Sequence, residues 1–127
     1  MPKIKTFLAA CKELKLDPKK VVPNTTAFPK PHQKALIAIA KLMIVIQALN
    51  GDWVPDWNDS EQNKYYGWWD MEKDKNNPSG FRLADVYYFL CSTSGVGSRL
   101  CFKSSEIAEW ALKQKEIVQL YKDFMTI

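Results

Sequence analysis

A chain of 127 residues, 46% hydrophobic, 25% charged and 13% aromatic, is one domain's worth of sequence and can build a core without metal or disulfide. That balance excludes a disordered chain. The net charge of +4 is small for a dedicated nucleic-acid domain and is unevenly placed. Residues 1–50 set nine lysines against Glu13 and Asp17, whereas residues 51–103 carry six basic and eight acidic side chains.

In chain order, Ile4, Phe7, Leu8, Cys11 and Leu14 recur at helical spacing and predict a short amphipathic helix that ends before Pro18. Residues 21–31 hold three prolines and an "NTT" and form an extended connector. Residues 32–49 are the most apolar run, interrupted after Ala35 only by Lys41 and Gln47. The run is short for a membrane span and carries a central lysine, so it reads as the central buried helix, without a membrane role. Lys34, Ala38 and Lys41 would form its one wet stripe, and Asn50–Gly51 its C-terminus.

A turn-rich segment, "DWVPDWNDSEQ", leads into a strand over residues 64–71. A polar loop over 72–80 precedes a second strand over 81–91, rich in Val, Tyr and Phe. "STSGVGS" is a turn, and Arg99–Lys103 a short strand pairing back as a hairpin. Ser104 is an N-cap for a C-terminal amphipathic helix whose apolar face includes Ile107, Trp110, Ile117 and Tyr121, with Glu109 and Lys113 as an i,i+4 pair. The expected architecture is α+β in a single domain, residues 1–127. Two N-terminal helices precede a small antiparallel aromatic-rich sheet, and the C-terminal helix packs on that sheet.

Few residues suggest chemistry. Cys11, Cys91 and Cys101, with His32 as the one histidine and no CxxC pair, fall short of a zinc site. Buried thiols in a reducing compartment are expected, a Cys91–Cys101 bridge being the alternative. "SGVGSR" matches neither a P-loop nor a dinucleotide loop and reads as a glycine turn. The acids of residues 52–61 lack calcium-loop spacing. No nucleophile, base and orienting group assemble, so the expectation is a non-catalytic protein with no cofactor and no metal.

The aromatics carry the functional reading. Strand alternation puts Tyr65 and Trp69 on one face of "KYYGWWDM" and Tyr66 and Trp68 on the other. Helices can cover one face; the Trp53–Trp57 loop, a partner or a ligand must cover the second. Trp53, Trp57, Tyr65, Tyr66, Trp68, Trp69 and Arg99 are therefore the candidate contact residues. A protein partner ranks first. Single-stranded DNA or RNA stacked on the rings is the alternative, opposed by the acidic side chains around them.

"LNGDWVPDWND", "KYYGWWDM", "SGF" and "GVGSRLCFKSSEIAEWALKQ", read together over about residues 49–125, resemble an uncharacterised family of small proteins encoded by phages and prophages of Bacteroidetes. That resemblance implies no catalytic residue. It implies a context, a phage gene product made in a bacterial cytoplasm, in which the expected role is that of an accessory protein that binds a host factor or belongs to a phage assembly.

Overall fold

The computed structural model describes residues 4–89 and 93–127. The fold is α+β: two helices, a two-stranded antiparallel sheet and two further helices, in that chain order.

The first helix, α1 (Phe7–Leu14), starts on Thr6, whose Oγ1 accepts from the Ala9 N–H at 3.1 Å. A second cap arrives from the far end of the chain, where the Glu116 carboxylate accepts the Phe7 N–H at 2.6 Å. The helix closes on Lys15, which takes the left-handed conformation at φ 58°.

The second helix, α2 (Lys30–Asn50), is the spine of the core. Pro31 sits in its first turn, where a missing N–H costs nothing. Gly51, at φ 61°, ends it. By length and composition α2 could cross a membrane, but its Leu42, Val45, Ile46 and Leu49 are buried inside this domain. The expected wet stripe is corrected: Ala38 is 2% exposed, packed within the core. The two lysines beside it meet neighbouring helices, Lys41 over the Phe7 ring at 5.2 Å and Lys34 beside Asp123 at 3.4 Å. Because α2 packs against both α1 and the last helix, the stripe is covered at its middle, while Lys34 at its start stays exposed.

The strands β1 (Lys64–Asp70) and β2 (Arg82–Phe89) pair from Lys64↔Phe89 to Asp70↔Arg82. Asn77, buried in the connecting loop, donates to the carbonyls of Asp70 and Glu72, both at 2.9 Å, and so fixes the chain's exit from β1. Residues 99–103 do not form the expected hairpin strand. Ser98–Leu100 is a 3-10 turn, and Phe102 alone joins the sheet, exchanging two backbone hydrogen bonds with Tyr65 on the β1 edge. The buried Asn50 side chain holds this segment, donating to the Cys101 carbonyl at 3.0 Å and accepting from the Lys103 N–H at 3.1 Å.

The C-terminal helical region divides in two. Ser104 caps α3 (Ser105–Ala111), its Oγ accepting from the Ile107 N–H, and α4 (Lys115–Met125) follows after a turn. Glu109 and Lys113 are therefore no helical pair, since α3 stops at Ala111. The break lets α3 lie on both strands while α4 packs principally on α2. The turn also buries Leu112 completely, against Gly67 of β1. The α4 helix reaches the sheet through Tyr121, whose ring lies 5.0 Å from that of Trp69.

Candidate functional site

The hairpin has two unlike faces. Inward, Trp69, half-buried against the core, stacks on Phe81 at 4.6 Å and 18° and touches Tyr121. Gly67 beside it leaves room for the helical layer. A Cβ there would stand 2.7 Å from Leu112 Cδ1, and Leu112 has nowhere to retreat. Tyr65 is half-buried on the same face, its hydroxyl accepting from Asn63 and its ring 6.1 Å from that of Tyr88, which is 61% exposed.

A bulge between Trp68 and Trp69 leaves Ala84 as an extra residue of β2. Its effect is specific. Strict alternation would send Leu83 outward with Asp85 and Tyr87; the extra residue turns it inward, opposite Trp69 and against the core.

Outward, the register aligns Tyr66 and Trp68 with Tyr87 and Asp85. The Tyr87 ring meets Tyr66 edge-on at 6.3 Å and Trp68 at 5.5 Å, joining three aromatics into one patch. Trp68 is 55% exposed and Tyr87 42%. The Trp53–Trp57 loop meets this face at its Lys64 end. There Lys64 is fully buried, donates to the carbonyls of Gln62 at 2.9 Å and Asp59 at 3.4 Å, and lies 5.4 Å from the centre of the Trp57 ring.

The charges of this face are mostly spent internally. Arg82 bonds Asp70 through Nε and Nη2, each 3.3 Å from Oδ2. Lys64 is satisfied as described. Asp85 stands across from Trp68 with one carboxylate oxygen accepting the Val86 N–H at 2.8 Å, and forms no ion pair among the described residues. Spacing alone does not single out Tyr87 and Asp85 as contact residues; the hairpin register does.

Trp53 and Arg99 lie elsewhere. They line a groove of about 900 Å³ between the C-terminal half of α2, the loop after it and the 3-10 turn, with Ile44 and Ile46 among its apolar walls. Trp57 ties the two loops together, its indole N–H donating to Ser98 Oγ at 2.7 Å. The seven candidates thus divide into Trp69 packed against the core, an outer face with Tyr66 and Trp68, a half-buried Tyr65, and a separate groove with Trp53 and Arg99 to which Trp57 is the hinge. The glycine turn is organised by its own serine, Ser94 Oγ accepting from the N–H groups of Val96 and Gly97.

The two described thiols are structural. Burial raises the Cys101 thiol from about 9 to about 11, and burial, then Asp17, raises that of Cys11. Neither is a thiolate at neutral pH. Cys91, and with it the Cys91–Cys101 alternative, lies outside the described residues. Among the described residues no cluster of three or more His, Cys, Asp or Glu side chains is placed to hold a metal. Burial also raises the Tyr121 phenol, whose hydroxyl has no hydrogen-bond partner among the described residues. All three folded-state values lie above the unfolded ones, so these groups contribute stability that is complete below pH 9 and is lost as pH rises. Melting temperature should therefore fall between pH 9 and about 11, and Cys101→Ala should flatten the first part of that decline in a thermal-melt series.

No family model, curated protein or solved structure matches this chain.

Proposed function

We propose that this chain is a non-catalytic accessory protein of phage or prophage type that binds a protein partner in the bacterial cytoplasm, using the outer face of its hairpin. The observation that carries this reading is the Tyr66–Trp68–Tyr87 patch, exposed at its centre and held on a two-stranded support. Trp and Tyr dominate the energetics of protein interfaces because each gives a large contact area at little entropic cost. The same reading makes α2 a core helix and gives it no membrane role.

Single-stranded nucleic acid is the second reading, favoured by the stacked rings alone. Such binders set cations beside their aromatic platforms. On this face Arg82 and Lys64 are already engaged, and Asp85 adds a negative charge. The test has two arms. Tryptophan fluorescence is expected to stay unchanged when single-stranded DNA is added at low salt; quenching that fades with salt would establish the nucleic-acid reading instead. Pull-down from a bacterial host lysate is expected to recover a partner with the native chain and to lose it with Trp68→Ala. Equal recovery by the variant would move the site off the hairpin.

A further inference from the structure

The charge state of the outer face narrows the kind of partner it fits. Of the side chains on that face, Arg82 is paired with Asp70, and Lys64 is buried under Trp57 against two carbonyls. The Asp85 carboxylate stands directly across the hairpin from Trp68, next to the open aromatic rings, with no cation paired to it among the described residues. Such an arrangement lacks one component, a positive charge supplied from outside.

We propose that the hairpin binds a basic, extended segment of its partner, with an arginine stacked on Trp68 and Tyr87 and paired to Asp85. This rests on reading the outer face as a protein-contact surface, and adds the chemistry of what it contacts. A guanidinium is drawn to the face of an indole or phenol ring, and the attraction grows as water is excluded. Its planar fork can stack on a ring and bond a carboxylate at once, which the lysine ammonium does less well.

The partner lands on the face and does not extend the sheet. Tyr65 turns its backbone toward Phe102, so the Tyr65↔Tyr88 and Gly67↔Val86 pairs are the non-bonded ones of the ladder and the Val86 N–H points to the open edge. Asp85 already occupies that N–H, and the Ala84 bulge bends the same strand, two devices that close an edge to a further strand.

The experiment uses the full chain labelled with nitrogen-15, the indole N–H signal of Trp68 being assigned by its loss in Trp68→Phe. Three short peptides alternate serine with arginine, with leucine or with glutamate. The arginine peptide is expected to shift the Trp68 signal. Asp85→Asn should weaken its binding about three- to fivefold, the range of a partly exposed charge pair. The melting temperature should stay unchanged, because the asparagine oxygen still accepts from Val86. Equal response to the glutamate peptide, or an Asp85→Asn variant that binds the arginine peptide as well as the native chain, overturns the proposal. A shift with the leucine peptide alone also overturns it but leaves the protein-contact reading standing. Silence from all three overturns it as well; the protein-contact reading then falls too only if the Trp68→Ala variant pulls down the same partner as the native chain.

Discussion

Trp69→Ala will destabilise the chain by about 4 kcal/mol, whereas Trp68→Ala, one residue away, will cost no more than about 0.5 kcal/mol. The two indoles differ in surroundings and not in type. Trp69 stacks on Phe81, touches Tyr121 and packs against the main core, so truncation leaves a cavity bounded by side chains from β1, the loop before β2 and α4. Trp68 is more than half exposed and rests on Tyr87 alone among the ring contacts described. For a chain of this size the first change corresponds to a fall in melting temperature of about 15 °C and the second to one within about 2 °C. Urea melts of the two variants are the check. Equal losses would mean that the outer patch is itself part of the folding unit.

The second large effect is at Lys64. Lys64→Ala should cost about 3 kcal/mol, since it strands the carbonyls of Gln62 and Asp59 without their donor and opens a void beneath Trp57. Lys64→Met separates the two contributions. It keeps the volume of the stem and removes the donor, so it should recover about half of the loss. The readout is again the urea midpoint, joined by the emission of Trp57, which loses its covering cation in both variants. Full stability in Lys64→Ala would show that the loop carries no fold energy.

Much of this fold is written in local pattern. The apolar run from Ala35 to Leu49, the glycine after Asn50, the serine before α3 and the alternation within "KYYGWWDM" each follow from elementary geometry, and each element formed. The missing parts depend on partners distant in sequence. Nothing in "EWALKQKE" breaks a helix by composition, yet α3 and α4 separate there because one must cover the sheet and the other α2. The wet stripe on α2 is interrupted at Ala38 because other helices arrive there, while Lys34 stays exposed. The burial of Lys64 needs the 56–62 loop to fold back over it, and no period announces that. The Ala84 bulge reverses the facing of Leu83 by one extra residue, which no alternation rule foresees.

The candidate site was legible as far as its rings and no further. That one face of the aromatic strand is core and the other outward follows from period two. The segregation of Trp53 and Arg99 into a groove of their own depends on the 3-10 turn at Ser98, where the sequence suggests a strand. The charge of the outer face was harder still. Counting acids and bases over residues 51–103 gives a near balance, but what a partner meets depends on which charges are already satisfied within the fold.

The bond from Phe7 to Glu116 spans nearly the whole chain. A helix as short as α1 is barely populated by itself in water, so its order is borrowed from the segment that caps it and from α2. Closing so long a loop costs only slightly more entropy than closing a moderate one, but the closure waits until both ends exist. In time as well as in space, α1 is then the clasp of the molecule. Its amides are expected to exchange with solvent through local opening of that clasp, ahead of those of α2, which wait for the whole domain to unfold.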